Sequence, residues 1–223
     1  MSRSHRQGIV KWARVLLIAA AFTLSYLGPA MAENKASSLL VMGDSLSAAY
    51  GLQVEQGWVS LLAKKLEQEG SAWRVVNASI SGETTAGGVS RIANELKQHS
   101  PRLVIIELGA NDGLRGLPLE IALANLDKMI QTSKAAGARV LLLGMHIPPN
   151  YGPDYTQAFH AMYADLAKRH EVALLPFLME PIAANRDNYL DDNLHPTAAA
   201  QPALLAHVWT VLAPMLRDQI SRD

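Results

Sequence analysis

The chain contains no cysteine among its 223 residues. This excludes a disulfide, a thiolate metal site and a cysteine nucleophile. The chain also lacks an excess of either charge, because 20 lysines and arginines balance 20 acidic residues. Nucleic-acid binding needs a basic surface, so the composition does not favour that class of function. No internal repeat or low-complexity tract interrupts residues 33–223, and their number suits one domain with a sizeable core.

The first 32 residues have the pattern of a secretory signal peptide. Four basic residues and no acidic one precede an apolar run over residues 15–27. Gly28, Pro29 and the small-residue triplet Ala30-Met31-Ala32 follow this run. This run is short for a membrane-spanning helix, although an uncleaved membrane anchor stays open as the alternative. We therefore predict cleavage near Ala32, a periplasmic or secreted location and a single domain over residues 33–223. Without its leader the chain has 16 basic and 20 acidic residues, a net charge of about −4.

Short apolar runs alternate with longer segments of helical periodicity. Runs without polar alternation are typical of parallel strands that are covered on both faces. The alternation predicts an α/β fold: a three-layer α/β/α sandwich with a five-stranded parallel sheet, flavodoxin-like in architecture. The predicted strands cover residues 39–42, 74–77, 103–108, 139–143 and 172–175, and the predicted helices cover residues 58–66, 89–96, 119–136, 155–170 and 197–216.

Polar residues follow four of the five predicted strands. They occupy residues 43–46, 79–82, 109–112 and 191–196. The carboxyl ends of parallel strands meet at one edge of a sheet, which is where open α/β sheets bind ligands. The sequence therefore predicts a single site formed by these four loops.

These four loops resemble the conserved blocks of the GDSL, or SGNH, hydrolase family. The matching residues are Gly-Asp-Ser-Leu at 43–46, a glycine at 82, Gly-Ala-Asn-Asp at 109–112 and Asp-x-x-His at 192–195. Residues 77–82, 111–116 and 149–152 further resemble loops of its bacterial periplasmic members with acyl-CoA thioesterase, lysophospholipase and arylesterase activity. The resemblance implies a hydrolase that cleaves acyl esters and thioesters.

A nucleophilic serine can be argued from the residues as well. A serine hydroxyl needs an adjacent base. Asp192 and His195 are three positions apart, so one turn could bring the carboxylate to the imidazole and leave the ring to accept the proton of Ser45. Residue 47 is serine, so the Gly-x-Ser-x-Gly elbow of α/β-hydrolases is absent. Without the other blocks, a helix N-cap would be the preferred interpretation of Ser45.

The resemblance assigns an oxyanion hole to the backbone N–H of Ser45, the backbone N–H of Gly82 and the side-chain amide of Asn111. Glycine allows close approach of backbone to substrate, and asparagine supplies an uncharged donor. The alternative readings are a turn glycine and a loop-capping amide. Asp44 and Asp112 are expected to be structural, and a direct electrostatic role stays open as the alternative for Asp44.

Apolar residues on the loops after the third and fourth strands suggest an acyl-chain groove, although they could merely cover the core. The candidate substrate-binding residues are Leu114, Ile147, Pro149 and Tyr151, with His146 as a further possible contact. We expect a small acyl ester or thioester as substrate, at most transient contact with membrane lipid, and a monomer. We expect no cofactor and no metal, since no His/Asp/Glu cluster has ligand spacing.

Two other functions stay open. One is a carbohydrate O-deacetylase of the same fold, whose groove should be polar and aromatic. The other is a non-catalytic acyl- or lipid-binding protein, which an intact set of Ser45, Asp192 and His195 does not favour.

Overall fold

A computed structural model describes residues 37–220, so the predicted signal peptide lies outside the described residues. Five parallel strands form one sheet in the order β2-β1-β3-β4-β5. This is the flavodoxin-like order, and the predicted fold class is confirmed. The strands are β1 (Ser37–Gly43), β2 (Trp73–Asn77), β3 (Leu103–Glu107), β4 (Arg139–Leu143) and β5 (Ala173–Leu175).

The central strands are buried because helices cover both faces of the sheet. All of β3 and all of β1 after Ser37 are buried, whereas the edge strands β2 and β5 are only partly buried. The helices are α1 (Trp58–Gln68), α2 (Thr85–His99), α3 (Ala110–Leu114), α4 (Leu119–Ala135), α5 (Pro153–His170) and α6 (Gln201–Ile220). Short 3-10 turns cover Val54–Gln56, Pro149–Tyr151, Arg186–Asn188 and Ala198–Ala200.

The strand order reverses direction at β1, and this reversal separates the helices into two layers. Crossovers between parallel strands are right-handed, so α1 leaves the sheet on one face while α2, α4 and α5 leave it on the other. Helix α2 packs on α4, α4 packs on α5, and α6 packs beside α1. The carboxyl ends of β1 and β3 flank this switch point, where open α/β sheets bind ligands.

Helix α6 is apolar enough to suit a membrane span by length and composition alone, with a mean hydropathy of 1.3 over Ala198–Arg217. Its Leu204, Val208 and Leu212 are fully buried in the core cluster. The apolar character of this face of the helix is therefore accounted for by packing within the fold.

One element differs from the sequence expectation. Residues 110–114 form a short helix, α3, where a loop was expected. It is closed by backbone hydrogen bonds from Gly113 to Gly109 (3.0 Å) and from Arg115 to Asn111 (3.2 Å). Five residues are too few to produce a helical periodicity, but this turn fixes the position of Asn111.

Candidate active site

The turn that carries Ser45 begins where β1 ends at Gly43. This glycine lies opposite Glu107 of β3 in the sheet, and a Cβ at this position would come within 2.7 Å of Cβ of Ser47 and 2.9 Å of Glu107 Oε2. Only glycine fits that space. The turn is further held by Asn77, whose Nδ2 donates to the carbonyl of Ser47 at 2.8 Å.

Ser45, His195 and Asp192 form a continuous hydrogen-bonded chain. His195 Nε2 lies 2.8 Å from Ser45 Oγ, and His195 Nδ1 lies 2.7 Å from Asp192 Oδ2. The structure thus brings together the three residues chosen from the sequence, although 150 positions separate the serine from the histidine.

The Asp192–His195 pair is built by a small local loop. The other carboxylate oxygen of Asp192 accepts the backbone N–H groups of Leu194 (2.9 Å) and His195 (3.0 Å). The hydrogen bond from the His195 backbone is the main cause that lowers the pKa of Asp192 to about 2. The carboxylate is therefore ionised at neutral pH and can hold Nδ1–H of the imidazole, leaving Nε2 free to accept a proton.

The other described histidines do not contact Ser45. His99 lies 3.4 Å from Glu95, His170 lies 2.8 Å from Asp127, and His207 Nε2 lies 3.1 Å from the carbonyl of Phe177. His146 and His160 face each other, with 3.4 Å between their Nε2 atoms. Within residues 37–220 there is no group of three or more His, Asp or Glu side chains placed to hold a metal ion.

The three candidate oxyanion donors differ in their availability. The backbone N–H groups of Ser45 and Gly82 donate to no other described residue, and both residues line the same cleft. Gly82 has φ of +79°, a conformation that favours glycine. Asn111 also lines the cleft, but its Nδ2 already donates to Asp44 Oδ2 and to the carbonyl of Glu83, each at 3.0 Å.

Asp112 ties helix α3 to the start of helix α2. Its two carboxylate oxygens accept the backbone N–H of Thr85 at 2.9 Å and the Thr85 hydroxyl at 2.6 Å. Arg115, one residue beyond α3, donates to the carbonyl of Gly82 at 2.9 Å. These contacts fix the Gly82 and Asn111 loops to each other, which is the structural role expected of Asp112.

A cleft of about 900 Å³ opens beside the serine. A volume of this size suits a small organic ligand. Polar and charged side chains, among them Asp44 and Arg186, line part of the cleft. The apolar lining residues are Leu46, Ala110, Leu114, Met145, Ile147, Pro148, Pro149, Phe177, Met179, Ala183, Ala184 and Leu194.

Three of the four predicted substrate-binding residues line this cleft, namely Leu114, Ile147 and Pro149. Tyr151 does not. Its hydroxyl donates to the carbonyl of Leu114 at 2.6 Å and its ring stacks near Tyr155, because a partly buried hydroxyl needs an acceptor. Tyr151 therefore supports the cleft wall without forming it.

Three rings, those of Tyr50, His146 and Phe177, line the cleft near the catalytic residues. Tyr50 lies against His195, with 4.3 Å between the ring centroids. His146 stacks on Phe177 at 4.2 Å, and burial followed by the nearby His160 lowers the pKa of His146. The lowered pKa favours the neutral form of the His146 imidazole, which suits an apolar ligand.

Tyr50, Phe177 and above all Glu107 are side chains of the site that the sequence patterns do not predict. Glu107 is fully buried beneath the nucleophile turn, where its Oε2 accepts the Ser47 hydroxyl at 2.8 Å. The sequence does contain one indication of Glu107, because it is a carboxyl group in an otherwise apolar central strand. Such groups are rarely buried without a partner, so this position predicts a buried polar contact.

Comparisons with known proteins agree with this geometry. The chain is 48% identical over 203 residues to esterase TesA of Pseudomonas aeruginosa, covering 91% of this chain and all of that protein. It is 43% identical to thioesterase 1/protease 1/lysophospholipase L1 of Escherichia coli K12, covering 81% and 86% of the two chains. The crystal structure of the esterase EstA from Pseudoalteromonas sp., inhibited by monoethylphosphonate, has a TM-score of 0.78 at 42% identity over 81% of this chain and 99% of that one.

Residues 41–202 match the GDSL-like lipase/acylhydrolase family. That match contains all four sequence blocks and the hydrogen-bonded chain from Ser45 to Asp192. The chain belongs to the GDSL-like lipase/acylhydrolase family.

Proposed function

We propose that this protein hydrolyses acyl esters and thioesters through an acyl-enzyme on Ser45. The observation that carries the proposal is the hydrogen-bonded chain from Ser45 through His195 to Asp192 at the mouth of an apolar cleft. Its relatives include proteins named as an esterase and as a thioesterase and lysophospholipase.

In the acylation step, His195 Nε2 takes the hydroxyl proton of Ser45 while Oγ attacks the substrate carbonyl. Asp192 stabilises the imidazolium that forms. The imidazolium then gives its proton to the departing alcohol or thiol, leaving an acyl ester on Oγ. Water attacks this ester with His195 again as base, which releases the acid and restores the serine.

The oxyanion that forms in each step is stabilised by the N–H groups of Ser45 and Gly82, which have no competing acceptor among the described residues. Asn111 Nδ2 is the third donor. To bind the oxyanion it gives up its hydrogen bond to the neutral carbonyl of Glu83 and keeps the one to Asp44, because the bond to Asp44 is charge-assisted and stronger. Asn111 thus exchanges a neutral acceptor for the charged oxyanion.

The substrate class follows from the cleft walls. They include long aliphatic and methionine side chains such as Leu114, Met145 and Ile147, which supports an acyl chain as the ligand. We further propose secretion to the periplasm or beyond, on the pattern of residues 1–32. All the proposed catalytic groups come from one chain, which supports a functional monomer.

Removing the nucleophile tests the mechanism directly. Ser45→Ala is expected to fold normally and to lose at least about 10⁴-fold in turnover of an aryl ester, as triad serines do. A fluorophosphonate probe should label the wild type but not this variant. Labelling of the variant at another serine would show that Ser45 is not the nucleophile.

A series of p-nitrophenyl esters tests the substrate class. Each buried methylene contributes about 0.8 kcal/mol, so decanoate should exceed acetate in kcat/KM by at least about tenfold. A clear preference for acetate would favour a deacetylase, and binding of decanoate without turnover would favour an acyl-binding protein.

The Asp192 carboxylate has a matched neighbour that isolates its role. Asp192→Asn places an amide against His195 Nδ1 and favours the wrong tautomer, so kcat should fall by about 10²–10⁴-fold. Asp191→Asn removes an adjacent exposed carboxylate that makes no contact with His195, and its kcat should stay near the wild-type value. Equal losses in the two variants would argue for a general effect of loop charge instead.

Asn111→Ala removes the one side-chain oxyanion donor. The lost interaction strengthens in the transition state, so kcat should fall by about 10²–10³-fold with little change in KM. Asn125→Ala serves as control, because it also removes an amide hydrogen bond, to Thr85 Oγ1 at 3.0 Å, but lies outside the cleft. If Asn111→Ala lowers only the melting temperature and keeps more than about a third of kcat, far from the loss expected of a donor, Asn111 only braces its loop.

A further inference from the structure

Two carboxyl groups lie buried together behind the nucleophile turn. Asp44 is only 1% exposed, and Glu107 is fully buried. Asp44 Oδ1 accepts the backbone N–H of Leu46 at 3.0 Å, and Asp44 Oδ2 accepts Asn111 Nδ2 at 3.0 Å. Glu107 Oε2 accepts the Ser47 hydroxyl at 2.8 Å and, more weakly, the Asp44 backbone N–H at 3.3 Å.

The two carboxyl groups are neighbours, because Glu107 Oε2 also lies 3.3 Å from the Asp44 backbone nitrogen and each carboxyl group influences the pKa of the other. Two ionised carboxylates buried so close together would repel each other, and a proton on one of them removes this repulsion. Glu107 Oε1 is buried and receives no hydrogen bond from any described residue. The missing donor is explained if Glu107 Oε1 itself carries a proton and donates it.

We propose that Glu107 is protonated and donates to an ionised Asp44, and that this pair is the positioning device that holds the Asn111 amide beside Ser45. Both oxygens of Asp44 then accept N–H groups, from Leu46 and Asn111, and the proton on Glu107 supplies a further donor. The inference about Asn111 rests on the proposed function, whereas the location of the proton does not.

Asp44 is the better site for the charge because it faces the reaction and Glu107 does not. Asp44 lines the cleft and interacts favourably with the charge of His195. Glu107 lies wholly inside the protein, where a second negative charge would be costly. In agreement, burial raises the pKa of Asp44 to about 6 and raises the pKa of Glu107 well above its ordinary value.

Two other titratable groups face this pair. His195 acts on Asp44 from the loop after β5, and the buried Tyr163 hydroxyl of α5 interacts with both carboxyl groups. Tyr163 donates to the carbonyl of Leu108 at 3.1 Å, and burial raises its pKa well above the ordinary value. It therefore stays neutral from pH 5 to 8 and leaves the proton within the pair.

Thermal unfolding of Glu107→Gln locates the proton without any substrate. A carboxyl group whose native pKa is raised takes up a proton on folding, so its contribution to stability falls as pH rises from its unfolded value, about 4.5, toward the native value. Glutamine mimics the protonated acid and has no such dependence. The melting temperature of Glu107→Gln relative to wild type should therefore rise between pH 5 and pH 8, by at least about 3 °C. A difference that does not change with pH would mean that Glu107 is ionised in the folded protein.

Ester hydrolysis at pH 8 then tests the positioning role. In Glu107→Gln the amide still donates to Asp44 and its oxygen still accepts from Ser47, so kcat should stay within about fivefold of wild type, the scale of one neutral hydrogen bond. In Asp44→Asn a single oxygen must serve the donors from Leu46, Asn111 and Glu107. Its kcat should fall by about 10- to 150-fold, as for a hydrogen bond to a charged group, with KM little changed.

The reverse pattern, with Asp44→Asn active and Glu107→Gln impaired, would put the proton on Asp44 and overturn the proposal. Equal losses in both variants would overturn it too. If Asp44→Asn fails to fold, the pH dependence of melting in Glu107→Gln still decides where the proton lies. If the wild type proves inactive on every ester, that result fails the proposed function, and the melting experiment still tests the pair.

Discussion

The pairing of β1 with β3 is the constraint on which the site depends. It sets Gly43 opposite Glu107 and places the turn of Ser45 beside the helix that carries Asn111. Side chains alternate between the two faces of a sheet, so a shift of one residue would move Glu107 to the opposite face. The buried carboxyl pair, the position of the serine and the anchoring of Asn111 all require this one register.

Features that depend on neighbouring residues could be predicted from the sequence. The five strands and the place of the site follow from apolar runs that end in polar loops. The Asp192–His195 pair follows from a spacing of three residues, because one small loop brings the carboxylate to the ring. The assignment of Ser45 as nucleophile also needed the resemblance to the hydrolase family, since no local pattern indicates that the loop at residue 195 returns to the end of β1.

Features that depend on distant partners could not be predicted. Glu107 has a function only in relation to Asp44 and Ser47, which precede it by about 60 positions. Tyr151 lies on the expected loop, but its hydroxyl donates to the carbonyl of Leu114 and the residue does not line the cleft. No local pattern encodes the contacts of Glu107 or Tyr151. Each contact depends on which distant hydrogen-bonding group still lacks a partner when the chain has folded.

The carboxyl groups around the serine have different roles because their surroundings differ. The Asp192 side chain is 40% exposed, and backbone N–H groups keep it ionised at little desolvation cost, which suits a group that must stabilise an imidazolium. Asp44 and Glu107 are buried. Two negative charges would repel each other there, and a proton on one of the carboxyl groups removes that repulsion. The burial of Asp44 also favours its hydrogen bond with Asn111, since an exposed carboxylate would be hydrated instead. The loop that orients the base can therefore be solvated, whereas the pair that orients the oxyanion donor has to be buried.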